Sequence, residues 1–299
     1  MTHALSLYDS QVVAHHDVAV RSVAFGRTRQ ILATADVRRQ VRLWFNGTLH
    51  VQLDLRARHD RFRPIDHIRA LAITPDEETL YVAAGETVQA YRTFDGHPIW
   101  IYHAPPTFAF LITSALSMAM APSGMLAVAF DDGSTAFFDP EGRRSHDIRG
   151  NDSPRFIGFL QDGVRLVGSD GFSVGIWDGL SGRRLLHFWL TARIFGLAVS
   201  PIRDVFAIRT LREVLLFEVQ GPRLLAEIPV EPGLPVVSFS SAHERLALVE
   251  RHGLLVADYE GRTIMRIEQP EAAVLGAAFT PEGSIALAGS DGTVRLWDL

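Results

Sequence analysis

Short runs of alternating apolar and polar residues, bounded by Gly, Pro, Asp or Ser, follow one another along the whole chain. The alternation has a period of two and no stretch with a helical period separates the runs, so the pattern predicts antiparallel strands joined by tight turns. The clearest recurring unit is a short strand that ends in a bulky residue before a turn. Its seven copies are VRLW ending at Trp44, VQAY at Tyr91, TAFF at Phe138, VGIW at Trp177, VLLF at Phe217, LLVA at Ala257 and VRLW at Trp297.

These anchor strands recur with the spacing of a four-stranded unit, because their end positions differ by 47, 47, 39, 40, 40 and 40 residues. Two apolar strands separated by a polar turn precede each anchor, and a turn and a more amphipathic strand generally follow it. Seven units of four strands predict an all-β fold: a single seven-bladed β-propeller of four-stranded antiparallel blades over residues 1–299. The two longer intervals indicate enlarged connections after the first and second blades.

The two ends of the sequence suggest how the ring closes. The last unit stops at Leu299, after its third strand, and a spare alternating segment around 5–13 precedes the first unit. We expect residues 1–13 to supply a closing strand outside residues 294–298, because an uncovered strand edge would expose unpaired backbone groups. The N-terminal strand would thus complete the last blade.

The repeats resemble those of the WD-repeat (WD40-type) β-propeller family, in degenerate form, over essentially the whole chain. The sharpest instances are GSDGTVRLWD at 289–298 and AHHDVAVRSVAF at 14–25. In that family a Trp of the third strand, an Asp of the preceding turn, a Ser or Thr of the second strand and a His before the first strand form a hydrogen-bond network in each blade. The resemblance assigns this role to partial sets only: His16 with Trp44, Asp170 with Trp177, and Asp291 with Trp297.

Composition removes several kinds of chemistry. The chain has no Cys, and all 29 of its basic residues are Arg. Disulfides, thiolate nucleophiles, Cys-ligated zinc, Schiff-base lysines and P-loop lysines are therefore excluded. The net charge of −5 argues against a nucleic-acid partner, which requires a basic stripe.

The sequence shows no signal for secretion or membrane insertion. The N-terminus has no basic segment followed by an apolar run, so no signal peptide is predicted. Residues 104–130 lack charge, but Pro and Gly interrupt them and their second half aligns with the repeat. We expect a cytoplasmic protein with no membrane partner.

Two local motifs suggest catalysis or metal binding, and the fold explains both better. The GxSxG match at 171–175 aligns with a strand–turn–strand, whereas a nucleophile elbow needs a strand-to-helix turn. His15, His16 and Asp17 are zinc-ligand types, but adjacent residues of a strand point to opposite sides. We therefore predict no catalytic residues, no cofactor and no metal.

The two enlarged connections carry most of the candidate binding residues, because loops on a rigid scaffold commonly carry function. Guanidinium groups pair with carboxylate or phosphate, so the first connection, 55–68, is suited to an acidic or phosphorylated partner. Alternatively, it is a solvated loop whose arginines pair with its own aspartates. The second, 103–114, is uncharged and either packs over the adjacent blade or presents an apolar patch. The candidates are Arg56, Arg58, Arg61, Phe62 and Arg63 in the first connection and Phe108 and Phe110 in the second.

The resemblance also implies a docking face. In the family, the inter-blade connections and the turns between second and third strands share one face, the usual docking surface. Arg155, Trp189 and Arg193 would add to it, although Trp189 could instead finish its strand and pack on a neighbouring blade. The predicted function is a non-catalytic scaffold that binds a protein or peptide on this face. Two alternatives stay open: a propeller enzyme that uses His, Asp, Glu or a metal at the central channel, and an architectural subunit that self-associates.

Replacing Arg58, Arg61 and Phe62 by Ala is expected to weaken partner capture from native lysate without changing the melting temperature. Intact capture with a lower melting temperature would show instead that the first enlarged connection is structural.

Overall fold

The computed structural model describes residues 3–5, 10–28, 31–55, 68–105, 113–148, 154–232, 234, 236–250, 253–268 and 272–299. This part of the chain contains 29 β-strands and no helix. The strands form seven sheets, so the predicted seven-bladed all-β propeller is confirmed.

The first three blades each take four consecutive antiparallel strands. Blade 1 consists of β3 (Val20–Phe25), β4 (Ile31–Asp36), β5 (Gln40–Phe45) and β6 (Thr48–Asp54); blade 2 of β7 (Ile68–Ile73), β8 (Thr79–Ala84), β9 (Thr87–Arg92) and β10 (Pro98–His103); and blade 3 of β11 (Ala115–Met120), β12 (Leu126–Phe130), β13 (Thr135–Phe138) and β14 (Arg144–Ile148).

The other four blades follow the same order, and the last two also recruit strands from the N-terminus. Blade 4 consists of β15 (Phe156–Phe159), β16 (Arg165–Ser169), β17 (Ser173–Asp178) and β18 (Arg184–Trp189); blade 5 of β19 (Gly196–Val199), β20 (Val205–Arg209), β21 (Glu213–Glu218) and β22 (Arg223–Pro229); blade 6 of β23 (Val237–Phe239), β24 (Arg245–Glu250), β25 (Gly253–Asp258), β26 (Thr263–Glu268) and β1 (His3–Leu5); and blade 7 of β27 (Val274–Phe279), β28 (Ile285–Gly289), β29 (Thr293–Trp297) and β2 (Ser10–His15).

The N-terminal segment closes the ring, as predicted. Strand β2 pairs antiparallel with β29, with Ser10 opposite Trp297 and His15 opposite Thr293. The closing strand thus runs to His15, two residues beyond the predicted end. Strand β1 was not predicted: it adds in parallel to the outer edge of β26, with His3 opposite Met265. The N-terminus therefore pairs with two successive blades.

Apolar side chains hold the blades together. The first strand of each blade contacts the first strand of the next, and the series returns from β27 to β3. Among the described residues, seven clusters of buried apolar side chains lie between successive blades, one at each junction. The cluster between blades 7 and 1 includes Val20, Trp44, Ala288 and Leu296, and Ala14 of β2 completes it.

A buried hydrogen-bond network lies at the same junction. His16 Nδ1 is 3.1 Å from Asp36 Oδ2, and His16 Nε2 is 2.7 Å from Thr34 Oγ1. Trp44 Nε1 donates to the same Thr34 hydroxyl at 2.9 Å. The Thr34 hydroxyl thus joins His16 to Trp44, and Asp36 holds the other ring nitrogen of His16. This network has two more members than the pair of His16 and Trp44 predicted from the sequence. Because both ring nitrogens of His16 are engaged, the segment after β2 is fixed to blade 1.

Burial lowers the pKa of His16, and this effect outweighs the opposing hydrogen bond to Asp36. The neutral imidazole fits the network, since Nδ1–H can donate to the Asp36 carboxylate while Nε2 accepts the hydroxyl proton of Thr34. Nearby, Arg42 Nη1 donates to the carbonyl oxygen of His15 at 2.6 Å and holds the end of β2.

Deleting residues 1–13 is expected to open the ring. Loss of the β2 ladder should remove roughly 3 kcal/mol and lower the melting temperature by about 5–10 °C. Deleting residues 1–5, which removes β1 alone, is the matched control and should cost far less, because it leaves β2 in place. An unchanged melting temperature for the longer deletion, measured by calorimetry, would contradict the closure.

His16→Gln should destabilise the protein by about 1–3 kcal/mol at pH 8, because it breaks bonds to buried polar groups. The folded-state pKa of His16 lies below the unfolded value of 6.5, so the unfolded state binds more protons at acid pH and the contribution of His16 is lost as pH falls below about 6.5. Urea unfolding at pH 8 and pH 5.5 should therefore show a smaller difference between wild type and variant at the lower pH. A difference that grows on acidification would be the wrong sign for this network.

Candidate functional site

Most of the predicted partner-binding residues belong to the two enlarged connections and lie outside the described residues: Arg56, Arg58, Arg61, Phe62, Arg63, Phe108 and Phe110. The predicted residues within the described ranges are Arg155, Trp189 and Arg193.

One face of the ring carries both the inter-blade connections and the turns between second and third strands, which we call the upper face. Strand direction requires this, because four antiparallel strands return the chain to the side on which it started. Hydrogen bonds join the two kinds of loop: Leu190 N donates to Phe172 O at 2.8 Å, and Val230 N donates to Arg212 O at 2.9 Å. The turns after the first and third strands occupy the opposite, lower face.

Three large apolar side chains are exposed on the upper face of blades 4 and 5. Trp189 is 66% exposed, Phe172 49% and Leu211 56%. Trp189 is the last residue of β18, opposite Ser173 of β17, and its ring lies edge-on to His187 at 5.3 Å. The tryptophan thus finishes its strand, but its side chain faces solvent rather than the next blade. Exposed aromatic side chains of this size are common anchors of protein interfaces.

Arg193 lies in the connection that follows Trp189. Its guanidinium carbon is 5.4 Å from the ring centre of Phe195, a cation–π contact that restrains the arginine beside the first strand of blade 5. Ile194 between them is buried and fixes the connection to the core of blades 4 and 5. The exposed side chains of this segment therefore stand on a well-anchored backbone.

A ring of equivalent positions surrounds the upper mouth of the central channel. Each lies four residues before the end of a first strand, near the point where the chain enters the channel wall. We call the six that lie within the described residues the mouth positions: Arg21, Arg69, Leu116, Arg155, Phe195 and Leu275. No mouth position carries an acidic residue, and all three arginines are exposed.

Arg21 and Arg69 share a cavity of about 270 Å³ at this mouth. Each arginine sits at a shift in register between the first and second strands, between Val20 and Ser22 in blade 1 and between Ile68 and Ala70 in blade 2. Such bulges re-aim a side chain out of the regular ladder. Besides Ser22 and Gly276, the rest of the wall is apolar: Val23, Leu234, Val236, Leu275 and Ala277.

Gly276 sets the position of Arg21 across the closing junction. A Cβ atom at Gly276 would lie 2.8 Å from the carbonyl oxygen of Arg21, closer than real Cβ contacts allow. Only glycine therefore lets β27 and β3 approach this closely. The geometry of the cavity thus depends on ring closure as well as on its own residues.

Two buried charged side chains, Arg209 and Glu250, support the connection that carries Leu234 and Val236. Arg209 Nη2 donates to the carbonyl oxygen of Glu231 at 2.8 Å, and Glu231 N donates to the carboxylate of Glu250 at 3.2 Å. Desolvation lowers the pKa of Arg209, and the nearby Glu250 opposes this. Arg209 and Glu250 are not among the residues predicted from the sequence. The position of Arg209 at the end of the apolar strand VFAIR does, however, indicate a buried charge.

The remaining residues assigned to blade networks brace turns and fill cores. Asp170 accepts the backbone N–H groups of Phe172 and Ser173, and Asp291 accepts that of Thr293. Trp177 is buried, and its ring occupies the space in which a Cβ of Gly175 would stand. Trp297 is buried in the core between blades 6 and 7.

The motifs that suggested chemistry have structural roles. Gly171 lies in the turn between β16 and β17 and the buried Ser173 begins β17, so GxSxG here is strand–turn–strand. His16 engages both ring nitrogens with protein groups. Among the described residues, no three His, Asp or Glu side chains gather closely enough to hold a metal ion. In the same ranges, no helix has the length and apolar character needed to cross a membrane.

Comparison with known families gives a match at both ends of the chain. The family model described as WD domain, G-beta repeat matches residues 9–44 and 261–298, which cover the closing strand, most of blade 1, and blade 7 with the last strand of blade 6. A search of curated proteins finds no match. The chain is thus a closed β-propeller of seven blades that carries WD repeats at residues 9–44 and 261–298.

Proposed function

We propose that this propeller is a non-catalytic interaction platform that binds a protein or peptide on its upper face. The observation that carries the proposal is the exposure of three large apolar side chains on the upper face of blades 4 and 5: Phe172, Trp189 and Leu211. Removing such side chains from water is the main favourable term in association, and Trp is a frequent hot-spot residue. WD40 propellers generally serve as protein-interaction scaffolds, which supports the same conclusion.

The backbone that carries Phe172 and Trp189 supports the proposal, because a preorganised surface loses little conformational entropy on binding. Phe172 accepts the hydrogen bond from Leu190 N, and Gly171 O accepts one from Ile194 N at 2.6 Å. The turn of blade 4 and the connection to blade 5 are thus tied together. The exposed side chains can therefore contact a partner without a prior ordering of the backbone that carries them.

The double substitution Phe172→Ala and Trp189→Ala is expected to abolish capture of the specific partner from native lysate, measured by quantitative mass spectrometry. Loss of two anchors of this size should weaken binding by about 100-fold or more. The melting temperature should stay within about 2 °C of wild type, since both side chains are largely in solvent.

Leu180→Ala is the matched control. Leu180 is also 66% exposed and belongs to blade 4, but it lies in the turn after the third strand on the lower face. The Leu180→Ala variant should capture the same partner as wild type. Equal loss in the control, or full capture by the double variant, would refute an upper-face site.

A further inference from the structure

The charge at the channel mouth indicates the chemistry of the segment that binds there. The mouth positions bring arginines from blades 1, 2 and 4 to one opening, on a chain whose net charge is −5. The other described mouth positions are apolar: Leu116, Phe195 and Leu275. A local excess of positive charge on an acidic protein is costly unless a counter-charge or solvent compensates for it.

These arginines are free to pair with a ligand. Among the described residues, no carboxylate lies within ion-pair distance of Arg21, Arg69 or Arg155. Most arginines elsewhere on the ring that carry ion pairs use acidic neighbours in their own turns; Arg143, for example, bonds Asp139 at 2.8 Å and Arg262 bonds Asp258 at 2.7 Å. Arg21 and Arg69 differ in being exposed at a concave surface without such a partner.

The lining of the cavity that Arg21 and Arg69 share is of two kinds, charged and apolar. The arginines come from blades 1 and 2, while Leu234, Val236 and Leu275 come from blades 6 and 7, which adjoin blade 1 across the closing junction. At roughly 30 Å³ per water molecule, the cavity has the volume of about nine waters, enough for one or two side chains. A ligand that is complementary to both the arginines and the apolar lining carries an anionic group next to an apolar one.

We propose that the channel mouth binds an acidic segment of the partner protein, with an Asp or Glu carboxylate held by Arg21 and Arg69 and the adjoining apolar side chain against Leu234, Val236 and Leu275. Guanidinium groups bind carboxylates through paired, charge-assisted hydrogen bonds, which gives the site its preference. The apolar wall adds specificity for the neighbouring residue. This inference rests on the proposed upper-face function and specifies the partner's chemistry.

The test uses a phage-displayed library of random 12-residue peptides, selected on the full chain at low salt. Phage peptides carry no phosphate, so an anion that they contribute is a carboxylate. We expect enriched peptides to share an Asp or Glu next to Leu, Ile, Val or Phe. Their affinity, measured by fluorescence polarisation, should fall as salt is raised.

The double variant Arg21→Gln and Arg69→Gln should bind an enriched peptide about tenfold more weakly or worse. Changing the peptide's Glu to Gln should cause a similar loss in wild type but little further loss in the double variant, since the two changes remove the same contact. Both substitutions are at exposed positions, so the melting temperature should be unchanged.

The control variant is Arg27→Gln with Arg183→Gln. It removes the same two charges from exposed arginines in lower-face turns and should keep wild-type affinity within about twofold, because it alters only the long-range field.

Enriched peptides without a carboxylate, or equal binding by the mouth and control variants, would overturn the inference. If the peptides instead lose binding only in the Phe172→Ala, Trp189→Ala variant, the upper-face function stands and the arginine site is wrong. If neither upper-face variant changes peptide binding, both proposals fail.

Discussion

Every blade of this propeller depends on burying apolar side chains against its neighbours, so the ring has to close. A single four-stranded sheet leaves two faces exposed to water, and each of the seven apolar clusters is shared between two blades. Burial at about 25 cal/mol per Å² makes each junction a large favourable term, which would be lost at an open gap. The junction between blades 7 and 1 depends on β2, because Ala14 belongs to its core and His16 continues from β2 into the network of blade 1.

Closure also determines the candidate site. Arg21 lies on β3, whose neighbour across the closing junction is β27, and Gly276 allows the two backbones to meet. The cavity at the mouth takes residues from both sides of this junction. The exposed apolar side chains Phe172, Trp189 and Leu211, by contrast, belong to blades 4 and 5, where the backbone is continuous. The upper face thus combines a charged opening that depends on closure with an apolar surface that depends on local hydrogen bonds.

The sequence predicts the architecture well, because strand alternation and turn residues recur in each unit. The anchors ending at Trp44, Ala257 and Trp297 all fall on third strands, even where the tryptophan is missing. Strand β1 could not be predicted, since three residues carry no readable alternation. The blade 1 network could be predicted only in part, because the spacing between its Asp and Trp differs from that in blade 7. Asp36 stands eight residues before Trp44, whereas Asp291 stands six before Trp297.

The candidate site was less predictable, because it is a property of how blades are arranged in space. The three mouth arginines each lie four residues before the end of a first strand: Arg21, Arg69 and Arg155. This shared spacing indicates a common site only when the first strands are known to surround one opening. Trp189 illustrates a different limit: the sequence places it at the end of a strand, and only the packing decides whether its ring is covered. The roles of the two enlarged connections stay predictions.

Hydrogen–deuterium exchange of the propeller, alone and saturated with its captured partner, tests whether the upper face is the binding surface. We expect slower exchange on binding at the upper face, in residues 19–23, 68–71, 171–173 and 189–196, and unchanged exchange in the lower-face turns at 26–28 and 179–183. Protection confined to the lower-face turns would show that the partner does not bind the upper face.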